Sequence, residues 1–335
     1  MKRTISLILS AALLLACLPL ASAEETALKV KMLTIVQEPD KTEYVADEEF
    51  DPTGTVINAT MSDGSVQENV EWKCKQKKPL TTKDKAVTFT YGGKTVMQKI
   101  TVKNRGNTEP YSVACTEALP DSPLQGMTIL WLGSSVTYGY GSDGESMVEF
   151  MDKRDGTVSI KEAVSGTTLA DIDDPKKGAS YVKRLEALIA SDECPTNVDV
   201  FICQLSTNDM YDAETFGAVT EADVTDKTSF DKSTTYGAME YITALVKETW
   251  NCPIFFYTNA KMENVNYGHM VEALYQIAEK WDIGVIDLFT DTAFNAISSE
   301  DYALYMTDNV HPTKAGYRDW WLVKFEEALY ALKAE

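Results

Sequence analysis

The chain reads as an α/β protein: a three-layer α/β/α domain on a parallel sheet, preceded by a small all-β sandwich. Short strand-like runs separated by turn residues fill residues 28–103, with no helical period of useful length among them. From about residue 126 the pattern changes to apolar runs alternating with amphipathic stretches, the mark of a parallel sheet covered by helices. Between the two, residues 104–125 are polar and broken by Gly106, Pro110 and Pro120, which suits a linker. A chain of 335 residues accommodates two domains at ~150 residues each. With 44% hydrophobic and 24% charged residues it is not a disordered chain.

Residues 1–23 read as an export signal. Lys2 and Arg3 precede an apolar run from Ile5 to Leu20 that is interrupted by Ser6, Ser10 and Pro19. Ala21-Ser22-Ala23 then supplies a small-residue cleavage pattern before Glu24 and Glu25. The run is short for a ~30 Å hydrocarbon core and contains a proline, which argues against a membrane-spanning helix. Leu14-Leu15-Ala16-Cys17 offers a second outcome, a bacterial lipobox with Cys17 lipidated, although Leu15 is not the usual small residue. Either outcome places the rest of the chain outside the cell, secreted or held at the surface. Contact with a membrane is expected only if Cys17 carries lipid.

The first domain is expected to use strands at Lys29–Val36, Gly54–Thr60, Val66–Trp72, Ala86–Tyr91 and Lys94–Val102. Ser62-Asp63-Gly64 and Gly92-Gly93 are hairpin signals between them. This pattern, with its ending Tyr91-Gly92-Gly93-Lys94-Thr95-Val96, resembles the bacterial immunoglobulin-like domains of surface proteins over about 75 residues. The resemblance implies a spacer or a module for cell-surface or glycan contact.

The second domain, 126–335, is expected to place buried strands at Met127–Leu132, Val158–Val164, Val198–Leu205, Pro253–Tyr257 and Gly284–Leu288. Helices are expected at Tyr181–Ala190, Tyr236–Trp250, Tyr267–Trp281 and Lys314–Leu332. Ligands of such sheets bind outside the carboxyl ends of the strands, so chemistry is sought just after each run.

The first run ends in Gly133-Ser134-Ser135-Val136-Thr137-Tyr138-Gly139, a serine pair at a strand-to-helix turn. Taken alone it is an ordinary Gly/Ser turn. No G-x-S-x-G elbow occurs in the chain, which argues against the common α/β-hydrolase arrangement. Gly139-Tyr140-Gly141-Ser142-Asp143-Gly144 fits G-x-G-x-x-G but follows the strand by several residues instead of closing it, so dinucleotide binding is set aside.

A serine nucleophile needs a base and an orienting carboxylate. Asp308-Asn309-Val310-His311-Pro312 supplies both, at a spacing that a turn brings to one side. Pro312 keeps His311 extended just before the last helix. The other histidine, His269, lies on an amphipathic stretch with no such neighbour and is given a structural role. Oxyanion donors are available after the next strands. Gly166 in Ser165-Gly166-Thr167 allows close backbone approach, Asn208 in Ser206-Thr207-Asn208-Asp209 carries an amide, and the Ser135 amide is a third donor.

These pieces, in this order, resemble the SGNH, or GDSL-type, hydrolase family. The resemblance covers about Gly126 to the C-terminus and implies that Ser135 is the nucleophile, with Asp308 and His311 completing the catalytic set. It further implies that Ser135, Gly166 and Asn208 form the oxyanion hole. Two departures stand out: Ser134 replaces the Asp of Gly-Asp-Ser, and Ser206 replaces the Gly of G-x-N-D, which bears on how Asn208 is aimed.

Composition narrows the ligand. With 51 Asp and Glu against 31 Lys and Arg, the net charge of −20 disfavours nucleic acid and anionic membranes. Two histidines and no Cys-x-x-Cys leave no evident metal site, and no cofactor is expected. Five cysteines follow the signal, an odd number, and no disulfide is assigned. A polar insertion from Asp209 to Ser233 carries Asp209, Asp212, Glu214, Glu221, Asp223, Asp226 and Asp231. It reads either as an acidic wall of the site or as a solvated loop. Its large apolar residues are Met210, Tyr211, Phe216 and Phe230, few for a lid over long acyl chains. The expectation is a secreted serine esterase acting on short acyl esters, acetyl above all, on a neutral carbohydrate. A lipase or lysophospholipase of the same family and an inert carbohydrate-binding or adhesion protein are the alternatives.

Overall fold

A computed structural model describes residues 27–334 except Asp173 and Pro175. The export signal expected at 1–23, with Cys17, lies outside the described residues. The chain forms two compact units: one takes the chain through Lys41 with Asp51–Lys77 and Ala86–Lys99, the other Thr42–Phe50, Lys78–Lys85 and Ile100–Glu335.

In chain order the first eight strands are β1 (Val30–Gln37), β2 (Glu43–Val45), β3 (Val56–Met61), β4 (Val66–Gln67), β5 (Lys73–Cys74), β6 (Ala86–Tyr91), β7 (Lys94–Lys99) and β8 (Thr101–Lys103). The first unit holds two antiparallel sheets, β1-β3-β4 and β5-β6-β7. Burial alternates along β3 and β6, so Ile57, Ala59, Val87 and Phe89 form its core. The expected strand Val66–Trp72 ends early because Asn69 takes φ +47°, its amide donating to Asn58 Oδ1 at 2.9 Å. The expected strand Lys94–Val102 divides at Ile100: β8 belongs to the second unit, where it pairs in parallel with β2.

The second unit is built on β9 (Thr128–Gly133), the one-turn helix α1 (Ser135–Tyr138), α2 (Met147–Asp155), β10 (Val158–Ala163), α3 (Tyr181–Ile189), β11 (Val200–Gln204), α4 (Thr235–Thr249), β12 (Ile254–Tyr257), α5 (Val265–Trp281), β13 (Gly284–Ile286), α6 (Ser299–Tyr305) and α7 (Leu322–Ala334). A π-helical segment, Gly316–Trp321, leads into α7 where a regular helix was expected. The sheet is wholly parallel, in the order β10-β9-β11-β12-β13. β9 and β11 are central and apolar almost throughout, as strands covered on both faces must be. α3, α4 and α5 pack side by side, while α2 and α7 form a second layer. From that layer Phe325 meets Trp131 at 5.7 Å and Tyr257 at 5.2 Å between ring centres. Among the described residues no helix is long and apolar enough to cross a membrane.

The chain leaves β9 for β10 in one direction and then returns across the sheet to β11. This reversal opens a crevice at the carboxyl ends of β9 and β11, the place where doubly wound sheets hold ligands.

Residues 104–125 differ from a linker. They are part of the second unit, and residues 105–115 form three short 3₁₀ turns tied to the rest of it by polar groups. Asn107 donates to the Gly141 carbonyl at 2.8 Å and accepts from the Lys314 amide at 2.9 Å. The Val113 amide donates to Glu145 at 2.7 Å, and Arg318 donates to the Pro110 carbonyl at 2.6 Å. The polar residues that suggest exposure satisfy backbone groups here. Helix α2 was also unexpected; Ser146 and Glu149 close a capping box at its start.

Candidate active site

Ser135 opens α1 directly after β9, and Ser134 caps it in a non-helical conformation (φ −117°, ψ −138°). The turn is held from below by Gln204, the last residue of β11. Gln204 Oε1 accepts from the Ser134 amide at 2.9 Å and from the Thr137 hydroxyl at 3.0 Å. Thr137 also bonds the Tyr257 hydroxyl at 2.6 Å, tying the turn to β12. Ser134, Thr137, Gln204 and Tyr257 are all buried, so these bonds replace water rather than compete with it.

His311 reaches the serine from the loop between α6 and the π-helical segment. Its Nε2 lies 2.8 Å from Ser135 Oγ, and its Nδ1 lies 2.9 Å from Asp308 Oδ2. Asp308 Oδ1 accepts the Val310 and His311 amides, each at 2.8 Å. Partial burial would raise the Asp308 carboxyl, but the His311 side chain and the two amides outweigh it and bring the pKa down to about 2. Ser135 thus joins Asp308 and His311, 173 and 176 positions further along the sequence, in one hydrogen-bonded chain.

The stretch Gly139–Gly144, which mimics a dinucleotide fingerprint, supports this loop. The Tyr140 ring lies 5.2 Å from the His311 ring, and the Thr307 hydroxyl donates to the Gly141 carbonyl at 2.9 Å. A Cβ on Gly141 would fall 2.9 Å from His311 Cβ and 2.6 Å from the Pro312 carbonyl oxygen. Only glycine allows that approach.

The other expected residues gather across the crevice. Gly166 adopts φ +81°, a left-handed turn after β10. Asn208 follows β11, and its side-chain amide donates to the Thr167 carbonyl at 2.8 Å. One of its two amide hydrogens is thereby used and the second remains. Ser206, in the place of the expected glycine, accepts the Asn208 amide on its hydroxyl at 3.1 Å.

Buried Arg184 joins the two halves: it donates to the Gly133 carbonyl at 2.7 Å, to Thr167 Oγ1 at 3.2 Å and to Glu162 at 2.9 Å. Asp209 is not a rim residue. It is buried and accepts the Leu169 and Ala170 amides at 2.9 and 3.0 Å, fixing the Gly166 loop against the Asn208 loop. Desolvation pushes its carboxyl up, partly offset by the Ser206 hydroxyl and those amides. In the insertion after it, Met210, Phe216 and Phe230 are buried in the core, and Tyr211 stays 71% exposed.

His269 is an exposed residue of α5. The five described cysteines are unpaired, and burial pushes the Cys203 thiol well up. Among the described residues no group of three or more His, Cys, Asp or Glu side chains is placed to hold a metal.

The model of the GDSL-like lipase/acylhydrolase family matches residues 131–318, more than half of the chain. The protein belongs to that family. It is accordingly a carboxylic ester hydrolase. The matched span contains Ser135, Gly166, Asn208, Asp308 and His311. Solved structures similar to this GDSL-family protein include a protein from Lactobacillus plantarum, at 18% identity over 62% of this chain and 96% of that one, TM-score 0.48. Others are a carbohydrate acetylesterase family member from Sinorhizobium meliloti (16%, 62% and 100%, TM-score 0.43) and the aryl esterase of M. smegmatis (18%, 62% and 100%, TM-score 0.42). No curated protein matches the sequence.

Proposed function

We propose that this GDSL-family hydrolase is an exported serine esterase that removes short acyl groups, acetyl above all, from a neutral carbohydrate. The observation that carries the proposal is the bond of His311 Nε2 to Ser135 Oγ at 2.8 Å, with Asp308 on the opposite ring nitrogen. His311 takes the Ser135 proton as Oγ attacks the ester carbonyl carbon. The oxyanion accepts from the Ser135 and Gly166 amides and from the remaining Asn208 amide hydrogen. Collapse breaks the bond to the alkoxide, which leaves with the proton from His311 as an alcohol. Water then attacks the acyl-serine with His311 as base, releasing the acid and restoring Ser135.

The short acyl group is supported by the insertion. Met210, Phe216 and Phe230 point into the core, so a lid for long chains lacks its apolar face. A net charge of −20 supports a neutral substrate over nucleic acid, phospholipid surfaces and anionic polymers. Export rests on residues 1–23, with lipid attachment at Cys17 as the alternative fate, and the product acts in the medium or at the cell surface. The N-terminal β-rich unit, read as an immunoglobulin-like sandwich, serves as a spacer or glycan contact.

Rates on aryl esters of graded acyl length test this reading. Acetate should be fastest. A rate that climbs to chains of about eight carbons, where each buried CH₂ contributes ~0.8 kcal/mol, would mark a lipase instead.

A further inference from the structure

We infer that the cavity beside Asn309 is a subsite for the sugar residues of the leaving alcohol, so that the enzyme selects an oligomeric acetylated glycan over an acetylated monosaccharide. The inference rests on the esterase reading of Ser135 and His311.

The cavity has a volume of about 530 Å³ and is lined by Lys261, Glu263, Asn295, Tyr302, Asn309 and Trp320, among others. Lys261 and Glu263 follow β12 and Asn295 follows β13, so the cavity opens at the carboxyl end of the sheet, as the crevice at Ser135 does. Asn309 is the residue after Asp308, and the Asp308 carboxylate acts on Tyr302, whose hydroxyl is held above its ordinary pKa by burial and by that charge. The cavity therefore flanks the Asp308 side of the catalytic chain.

The alcohol leaves on the His311 side of the serine. The proton that His311 takes from Ser135 must reach the departing oxygen, so the alcohol lies against His311, and the acyl oxygen faces Gly166 and Asn208. From Ser135 Oγ, the bonds of 2.8 Å to His311 and 2.9 Å onward to Asp308 end at the residue that precedes Asn309 of the cavity wall. In this reading the acetylated sugar sits at the serine and the further units of the chain occupy the cavity.

The lining suits a sugar. Among the described residues the Glu263 carboxylate, the Tyr302 hydroxyl and the Asn309 amide make no hydrogen bond, and all three are set around one cavity. Tyr302 adds a half-buried ring with a polar edge, while Trp320 is buried between Phe294 and Tyr305, gives its Nε1–H to the Phe294 carbonyl at 2.9 Å and forms only the floor. One lysine and one glutamate leave the wall without net charge, which matches a neutral ligand carrying many hydroxyls.

The test compares the full-length wild type with the Glu263→Gln/Asn309→Ala and Tyr302→Phe variants. The substrates are acetylated xylo-oligosaccharides, an acetylated monosaccharide and 4-nitrophenyl acetate. Loss of a hydrogen bond in either variant should raise KM for the oligosaccharides about fivefold, with kcat nearly unchanged. Because 4-nitrophenyl acetate carries no sugar, it serves as the control, and all three proteins should turn it over alike. Wild-type preference for the oligomer over the monosaccharide, lost in the variants, is the expected result. Equal oligosaccharide kinetics in wild type and variants overturns the subsite, and so does an equal loss on all substrates. Failure of the wild type to hydrolyse 4-nitrophenyl acetate would instead remove the esterase reading beneath it.

Discussion

Gln204 Oε1 accepts the amide hydrogen of Ser134 at 2.9 Å, so the end of β11 sets the turn that presents the neighbouring serine. The bond is buried, and among the described residues the Gln204 Nε2 has no partner, so the acceptor oxygen is what the turn uses. Gln204→Leu leaves a buried amide unpaired and should cost about 1–3 kcal/mol of stability. It should also lower kcat about 10-fold to 100-fold through misplacement of Ser135. Gln204→Glu keeps an acceptor and should retain far more activity. Steady-state kinetics and urea melts of the two variants check this; equal activity in both would contradict it.

If Asn208 donates to the oxyanion as proposed, Asn208→Ala should reduce kcat by about 100-fold or more while KM changes little. The side chain also bonds Thr167, so a melting curve on the same variant separates the two roles. A large loss of stability with an intact kcat would reduce Asn208 to a loop anchor.

Asp308 titrates near pH 2 when folded, against an ordinary value of 3.8. A folded pKa below the unfolded one stabilises the native state fully above about pH 4, and the contribution is lost as pH falls toward 2. The stability gap between wild type and Asp308→Asn should thus be constant at neutral pH and shrink between about pH 4 and pH 2. Melts across that range measure it, and a gap independent of pH would contradict the assignment.

Asn107 lies in the stretch that the sequence suggests is a linker, yet it bridges Gly141 and Lys314. Asn107→Ala should destabilise the second unit by about 1–3 kcal/mol, where a true linker position would tolerate alanine without effect. Thermal unfolding of the variant decides between them.

The contrast shows which features sequence exposes. Asp308 and His311 stand out because three residues of separation is a local relation, and Ser135 because it ends an apolar strand. The parallel sheet follows from continuous apolar runs at β9 and β11. Gln204 and Arg184 are invisible beforehand: each binds partners between 17 and 70 positions away, and neither residue type at its own place in the chain suggests a role. Asp209 misleads for a related reason, since a carboxylate opening an acidic stretch looks solvated until the Leu169 and Ala170 amides are seen to hold it. Asn69 breaks its strand by adopting a positive φ that no neighbour announces. The capping box at Ser146 and Glu149 is a local pattern, three residues apart, yet no helix was expected at α2.

The identity of the nucleophile bears most directly on the mechanism. Treatment of the full-length protein with a fluorophosphonate probe, followed by peptide mass spectrometry, reads it without reference to any substrate. The bond from His311 Nε2 to Ser135 Oγ leads us to expect phosphonylation of Ser135, abolished in Ser135→Ala and retained in Ser134→Ala. Label on Ser134, or label that persists after Ser135→Ala, would contradict the mechanism.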